Sequence, residues 1–169
     1  MERILVIGVN GSGKTTLARE LSAKLKLPLV HLDQLYWKDN WQCVSREEFD
    51  ESLEKELCKP KWIMDGCMQR TLAHRLEFAD TVIYLDFPAI LGVIGAIKRV
   101  MQYHGKSRPD MGGDCIERFD KREWIFIKSI FLFNKRNRDN FYRWIEAVDH
   151  IQLIVLKSRR QVKRFLKEV

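Results

Sequence analysis

Eight residues near the amino terminus constrain the fold of this chain more than any other feature. Residues 8–15 read Gly-Val-Asn-Gly-Ser-Gly-Lys-Thr, which matches the pattern G-x-x-x-x-G-K-[ST] of phosphate-binding loops. The apolar, β-branched residues 4–7 precede the loop and predict a buried strand. After the loop, Leu17, Leu21 and Leu25 recur at helical spacing. The pattern therefore predicts a strand–loop–helix unit that binds a phosphate group.

The residue types in this loop each serve phosphate binding in a different way. Its glycines accept torsions that let successive N–H groups turn inward, and the following helix adds its positive end. Lys14 is predicted to act on the β- and γ-phosphates of ATP as a catalytic charge, and Thr15 to offer its hydroxyl to Mg²⁺. The predicted nucleotide-binding residues are Gly8, Asn10, Gly11, Ser12, Gly13, Lys14, Thr15 and Thr16.

Composition favours one soluble globular domain over residues 1–169. Hydrophobic residues make up 46% of the chain and charged residues 31%. Residues 1–3 lead directly into the first predicted strand, so we expect no secretory signal peptide. The most apolar stretch, residues 124–133, is too short to span a bilayer and predicts a core or partner-facing helix. The four cysteines form no C-x-x-C pair, which favours reduced thiols and a cytoplasmic location.

Segments that favour strands alternate with segments that favour helices, which predicts an α/β fold with a parallel sheet covered on both faces. The predicted strands are residues 4–7, 29–32, 62–65, 81–86 and 151–156. Helices are predicted after the phosphate loop, from the capping residue Ser45 to about Cys58, and from Pro88 to about Tyr103. Two helical segments are predicted within residues 116–149, and Ser158 is predicted to cap a final helix.

Carboxylates stand where three of these strands end, at the edge of a parallel sheet where ligands collect. Asp65 and Asp86 are both candidates for orienting Mg²⁺, and the glycine after Asp65 favours that residue, while Asp86 remains the alternative. Asp33 is predicted to end the second strand and to accept a proton from an acceptor hydroxyl, with a helix cap as the other interpretation. His31 is interpreted as structural.

A basic stretch over residues 104–116, which we name the lid segment, is predicted to close over the phosphates. Arg108 is its predicted catalytic arginine, with Arg99 and Arg118 as alternatives, and a solvated surface loop is the competing interpretation. Aromatic residues after Asp33 predict either an acceptor wall or plain core; these are Tyr36, Trp37 and Trp41. Arg70 and Arg75 are candidates for binding an anionic group of the acceptor, or are surface charges.

The sequence also contains patterns that bear on two other classes of protein, the GTPases and the nucleic-acid-binding proteins. A GTPase would carry N-K-x-D, but Asn137 replaces the aspartate in residues 134–137, and D-x-x-G at residues 110–113 follows no strand; both matches are interpreted as accidental. The net charge of +7 fits nucleic-acid contact as well as polyphosphate binding. Basic clusters that include Lys135 and Arg136 suggest such contact, although no nucleic-acid-binding motif supports it.

Taken together, five segments resemble the bacterial DNA topology modulation proteins (FlaR-related), which are similar to adenylate kinase and other small-molecule kinases. The segments are residues 8–15, 31–37, 62–66, 79–88 and 107–111. The resemblance implies a three-layer α/β/α P-loop NTPase of the nucleoside-phosphate-kinase type, with sheet order 2-3-1-4-5, a lid and ATP binding. The chain departs from that family at Cys67 and Met68, where the family has Asn-Tyr.

The expected function is therefore Mg²⁺-dependent transfer of phosphate from ATP to a small molecule or nucleotide. Thr15 and Asp65 would hold the metal, Asp33 would assist the acceptor, and Arg108 would close over the phosphates. The alternative is a regulatory ATPase associated with nucleic acid that modulates DNA topology. The oligomeric state and the acceptor do not follow from the sequence.

Overall fold

Seven strands and seven helices make up the chain. The computed structural model describes the backbone of residues 1–169 and the side chains of residues 1–132 and 137–169. In chain order the elements are β1 (Arg3–Gly8), α1 (Lys14–Leu25), β2 (Leu29–His31), α2 (Leu32–Tyr36), β3 (Trp37–Lys38), β4 (Gln42–Cys43), α3 (Arg46–Leu57), β5 (Trp62–Asp65), α4 (Leu72–Phe78), β6 (Thr81–Leu85), α5 (Ala89–Tyr103), α6 (Lys121–Glu146), β7 (Gln152–Leu156) and α7 (Arg159–Glu168). Single 3₁₀ turns lie at Asp39–Trp41 and Gln69–Thr71.

Five parallel strands form the central sheet, in the order β2-β5-β1-β6-β7. Since β5, β6 and β7 are the third, fourth and fifth strands of the sequence prediction, this confirms the order 2-3-1-4-5 and the three-layer fold class. The register places His31 of β2 and Val6 of β1 beside Asp65 of β5. Gly8, the last residue of β1, lies opposite Leu85. The residues that follow β1, β2, β5 and β6 therefore meet at one edge.

Alternating apolar side chains divide the core into two layers. One layer contains Leu5, Met64 and Tyr84 and is covered by apolar residues of α3, α4 and α6. The other contains Ile4 and Ile83, with α1 and α7 packed against it. Strand residues are buried on both sides because helices cover both faces, which explains their continuous apolar runs. This packing fixes the carboxyl edge of the sheet and the residues that it carries.

Helix caps fall where the sequence places them. The Ser45 hydroxyl accepts from the N–H of Glu48 at 3.1 Å, and α3 begins at the next residue. The Ser158 hydroxyl accepts from the N–H of Gln161 at 3.2 Å at the start of α7. Pro88 directly precedes α5. The two serine hydroxyls each accept from an N–H group of the first helical turn that has no partner within the helix. The proline ring is compatible with the start of a helix, where such N–H groups are unpaired.

Two local predictions were wrong, and one element was not predicted. Asp33 does not end a strand: β2 stops at His31, and Asp33 lies in the first turn of α2. The two helical segments predicted over residues 116–149 are the single 26-residue helix α6. The short hairpin of β3 and β4 was not predicted at all. The hairpin turn is held by hydrogen bonds to the carbonyls of residues 114 and 116, so local propensity alone does not decide its conformation.

Helix α6 is only partly a core helix. Ile127 and Ile130 are buried, whereas Trp124 and Phe131 are more than half exposed. No helix among the described residues is both long enough and apolar enough to cross a membrane. Of the basic and guanine-pattern residues singled out in the sequence, Asn134, Lys135 and Arg136 lie outside the residues whose side chains the structure describes.

Candidate nucleotide and phosphoryl-transfer site

The glycine-rich loop connects β1 to α1, as the sequence predicts. Three of its residues have positive φ: Gly8 (146°), Gly11 (78°) and Gly13 (96°). Gly13 is also the residue that precedes the first turn of α1, so the loop ends at the positive pole of that helix. Lys14 is buried, and its ammonium donates to the carbonyl oxygen of Val9 at 3.1 Å. The lysine side chain is therefore bound to the backbone of its own loop.

The loop carries further polar groups that point to an anionic ligand. Ser12 is buried, and within the described part of the chain its hydroxyl has no hydrogen-bond partner. Asn10 is partly exposed, and Thr16 is exposed on the first turn of α1. Hydroxyl and amide side chains on a glycine-rich turn at the start of a helix are donors of the kind that binds phosphates.

Thr15 and Asp65 are brought together from 50 residues apart. The Thr15 hydroxyl donates to Oδ2 of Asp65 at 2.7 Å, and Nδ1 of His31 lies 3.2 Å from the same oxygen. The other carboxylate oxygen, Oδ1, is buried and has no partner among the described residues. An unpaired carboxylate oxygen beside a hydroxyl fits Mg²⁺, which prefers oxygen ligands and keeps several waters.

Asp86, the alternative metal ligand, already has other partners. Arg138 of α6 donates to both of its carboxylate oxygens, at 2.7 to 3.2 Å, and the Tyr142 hydroxyl donates at 3.1 Å. Burial raises the pKa of Asp86, but these hydrogen bonds outweigh it and hold the pKa below its usual range. The geometry therefore favours Asp65 over Asp86 as the carboxylate available to a metal.

Asp33 is half-buried and lies within the electrostatic reach of the loop. Burial raises the pKa of its carboxyl, the neighbouring charges of Asp65 and Asp110 add to this rise, and Arg108 and Lys14 oppose it. The charges that act on Asp33 thus belong to the residues that the sequence predicts for metal binding and phosphate binding and to the lid segment. A carboxylate with a raised pKa is a better proton acceptor than an ordinary aspartate.

Arg108 is not on a solvated loop. Its side chain is buried, with Nη1 donating to Oδ2 of Asp110 at 2.8 Å and Nε 2.7 Å from Oε1 of Glu117. Arg99 of α5 approaches the same Glu117 oxygen at 3.5 Å. Arg118, the third candidate, is exposed. The buried Arg108 and the partly exposed Arg99 are therefore both paired with carboxylates in this structure.

The lid segment is fastened to the region after Asp33. The carbonyl of Pro109 accepts from the Gln34 side chain at 3.0 Å, and that of Ile116 accepts from the Trp41 indole at 3.1 Å. Asp39 accepts from the N–H of Asp114 at 2.7 Å. Trp41 is thus part of this fastening, and the guanidinium of Arg122 lies 4.4 Å from its ring centroid. The segment covers the side of the molecule on which Asp33 lies.

A cavity of about 260 Å³ lies beyond β2 and β5. Its lining includes Tyr36, Arg46, Phe49, Met68, Gln69 and Arg70. Tyr36 packs edge-on against Phe49 with ring centroids 5.7 Å apart. Arg70 is half-exposed and pairs with Asp50 through two hydrogen bonds, at 2.6 and 2.9 Å. Of the predicted aromatic wall, Tyr36 lines this cavity.

Arg75 has a different position from Arg70. It is fully buried, and it donates to the carbonyl oxygens of Gly66, Cys67 and Met68 at 2.9 to 3.2 Å. Burial lowers the pKa of its guanidinium to about 10. Arg75 therefore holds the backbone that follows Asp65 and is not placed on the surface as a free charge.

Sequence reasoning missed several charged residues of the site. Glu117 and Arg19 carry no motif, and Asp110 was noted only as part of the lid segment, of the resembling segment 107–111 and of an accidental match, with no role of its own. Arg138 and Tyr142 both bind Asp86. They are four residues apart and so lie on one face of α6, and this spacing was the only local signal in the sequence that they act together. These residues are recognised by contacts between segments far apart in the chain.

Comparison with known proteins identifies the fold of this chain. No protein-family model and no curated protein sequence matches the chain. Shikimate kinase from Bacteroides thetaiotaomicron matches with a TM-score of 0.57 and 16% identity, over 99% of this chain and 95% of that one. Shikimate kinase from Acinetobacter baumannii in complex with shikimate matches with a TM-score of 0.62 and 16% identity, over 99% and 90%.

At this level of identity the comparisons show the fold alone. They do not show membership of the DNA topology modulation family. The chain has the fold of the shikimate kinases, a P-loop fold of the nucleoside-phosphate-kinase type.

Proposed function

We propose that the protein is an ATP-dependent phosphotransferase that acts on a small molecule. The observation that carries the proposal is the pairing of Thr15 with Asp65 at 2.7 Å directly beside the glycine-rich loop. The buried Lys14 and the half-buried Asp33 complete the set of groups that phosphoryl transfer requires. The fold shared with shikimate kinases supports the same reaction class.

The phosphate loop would bind the nucleotide with groups that it already presents. Backbone N–H groups of residues 8–16 and the Ser12 hydroxyl would hold phosphate oxygens. Lys14 would exchange the Val9 carbonyl for the β- and γ-phosphates, because a phosphate is a stronger partner for an ammonium than a neutral carbonyl. Thr15 and Asp65 would hold Mg²⁺, which supplies positive charge against the transferring phosphate.

Asp33 would accept the proton of the acceptor hydroxyl. Its raised pKa suits a general base, and its place beside Lys14 and Asp65 puts it near the expected position of the γ-phosphate. Arg108 would stabilise charge on the transferring phosphate from the lid side. Arg75 would fix the backbone between Asp65 and the cavity.

The acceptor would bind in the cavity lined by Tyr36, Phe49 and Arg70. Its volume of about 260 Å³ suits a small-molecule acceptor. We also propose that the enzyme is cytoplasmic. The free cysteines and the resemblance to bacterial DNA topology modulation proteins fit this location. A regulatory role on nucleic acid ranks second.

The test is an ADP-release assay with Mg-ATP against nucleotides, nucleosides, sugars, hydroxy acids and DNA. We expect turnover with one small-molecule class, and Lys14→Ala to lower it by about 10²-fold or more. Lys24→Ala is the control, since Lys24 is an exposed lysine of the same helix. Stimulation by DNA alone would favour the regulatory ATPase, and ATP binding without transfer to any acceptor would contradict the proposal.

A further inference from the structure

One carboxylate joins the lid segment to the helix that begins at the phosphate loop. Oδ2 of Asp110 accepts from Arg108 at 2.8 Å, and Oδ1 lies 3.6 Å from Nη2 of Arg19. Arg19 is on α1, one turn after Thr15, so its side chain leaves the same face of that helix. Two guanidinium groups from segments about 90 residues apart thus converge on a single anion.

This anion lies between the lid segment and the helix that begins at the phosphate loop, next to the proposed phosphoryl-transfer site. Asp110, Arg108 and Lys14 all act electrostatically on Asp33. Asp110 and Arg108 are each more than nine-tenths buried, so their charges are poorly screened by water. A bound polyphosphate and the Asp110 carboxylate would bring like charges together in a poorly screened space. They would therefore compete for the same cations.

We propose that Arg19 and Arg108 are a phosphate-binding pair of this site, and that Asp110 occupies the pair until a polyphosphate displaces it. The inference rests on the proposed function, because the displacing ligand is the phosphate chain of the nucleotide. Arginine suits this exchange, since its planar group binds carboxylate and phosphate oxygens with similar geometry.

The contacts of Arg108 divide into a fixed side and an exchangeable side. Nε lies 2.7 Å from Oε1 of Glu117, which is completely buried and also approached by Arg99. Nη2 donates to the Met111 sulfur at 2.8 Å. These contacts do not involve Asp110, so they can remain when Asp110 leaves. Nη1 faces Asp110 and becomes available to a phosphate oxygen. The contact with Arg19 is longer, and the Arg19 side chain is 43% exposed, so this half of the pair exchanges readily.

The turn does not need the Asp110 charge for its backbone conformation. The N–H of Met111 donates to the carbonyl of Arg108 at 3.2 Å, and Gln34 holds the carbonyl of Pro109. Asp110→Asn should therefore keep the fold while it frees the arginines. If Asp110 occupies the pair in nine of ten ligand-free molecules, the apparent dissociation constant is about tenfold weaker than the intrinsic one.

The experiment measures binding by calorimetry with two probes, tripolyphosphate and Mg-ATP. We expect Asp110→Asn to bind both about tenfold more tightly than the wild type. Asp114→Asn is the matched control, because it removes an exposed carboxylate from the same segment, and its affinity should stay within about twofold of the wild type. A circular dichroism spectrum checks that each variant is folded.

A second variant tests the other half of the pair. Arg19→Gln replaces an exposed side chain and should weaken tripolyphosphate binding about tenfold, the value of one charge-assisted contact. It should also reduce the gain from Asp110→Asn when the two changes are combined. Unchanged binding in Arg19→Gln, or equal or weaker binding in folded Asp110→Asn, overturns the inference and leaves the proposed function intact. A wild-type protein that binds neither probe overturns both.

Discussion

The protonation state of Asp33 limits the proposed reaction at low pH. Burial, followed by the nearby carboxylates, raises the pKa of its carboxyl above the ordinary aspartate value of 3.8, against the opposing charges of Arg108 and Lys14. Because a general base acts only when it is deprotonated, we expect kcat to fall as the pH drops through this raised pKa. Asp33→Asn should lose about 10²- to 10⁴-fold in kcat and show no such limb.

The measurement is a kcat–pH profile for both proteins, together with the dissociation constant for ATP at neutral pH. That constant should be nearly the same in both, since Asp33 is expected to contact the acceptor and not the nucleotide. Asp149→Asn, at an exposed carboxylate away from the site, should keep the wild-type profile. An acid limb that persists in Asp33→Asn would assign the limb to another group.

Single residues of the site differ in how far the sequence determines them. Lys14 and Thr15 belong to a motif whose spacing itself creates the binding geometry, so their positions follow from the letters. Asp65 follows from the rule that parallel strands end at one edge. Asp110 and Glu117 do not follow from either, because their roles depend on which arginines reach them across the fold.

At the level of elements, the regular strands and capped helices were predictable and the irregular pieces were not. The strands β1, β5 and β6 carry apolar runs that are almost fully buried, and these runs are bounded by turn residues, which is typical of strands covered on both faces. By contrast, the hairpin of β3 and β4 includes Asn40 and Trp41 with positive φ, a conformation that few side chains favour. Contacts with the lid segment hold this turn, and the sequence gives no local sign of them.

Helix α6 shows the opposite error. Lys128 and Ser129 interrupt its apolar stretch, and the prediction had two helical segments over residues 116–149 instead of one helix. In the structure both residues are exposed, while Ile127 and Ile130 on the neighbouring face are buried. A polar pair on the outer face of an amphipathic helix does not end it. The period of the buried positions was therefore a better guide than the continuity of the apolar run.

The contact between α5 and the phosphate loop gives a prediction at this scale. A Cβ on Gly95 would overlap the backbone of Gly11, which includes its carbonyl oxygen. Gly-to-Ala changes normally stabilise a helix interior by about 1 kcal/mol. Overpacking against backbone costs about 1–3 kcal/mol and displaces the loop, so we expect Gly95→Ala to lower both the free energy of unfolding and the affinity for ATP.

Urea unfolding and ATP calorimetry measure these two effects. Ile94→Ala is the control on the same helix, because Ile94 is 43% exposed and its truncation should change the free energy of unfolding by only about 0.5 kcal/mol. A Gly95→Ala protein that is more stable than the wild type would mean that helix propensity prevails and that the loop yields without cost.

Across the whole molecule, the proposed site combines two groups of contacts. The phosphate loop and the strand ends form one group, fixed by the sheet. The lid segment forms the other, and it reaches the first through Gln34, Asp39 and Trp41 beside Asp33 and through Arg19 of α1. A nucleotide that contacts both groups would join parts of the chain that otherwise meet through few side chains.

Nucleotide binding should therefore stabilise the folded protein as a whole. A ligand that binds only the native state adds about 2.7 kcal/mol at a concentration of 100 times its dissociation constant. For a domain of this size, each kcal/mol raises Tm by about 2–4 °C, so Mg-ATP at that concentration should raise Tm by roughly 5–10 °C. Tm should keep rising with the logarithm of the ATP concentration.

Adenosine, which lacks the phosphates, should produce little shift, and Lys14→Ala should lose most of the shift with Mg-ATP. An equal rise in Lys14→Ala would place the nucleotide away from the glycine-rich loop, because the buried ammonium of Lys14 is the charge that this loop contributes to the phosphates.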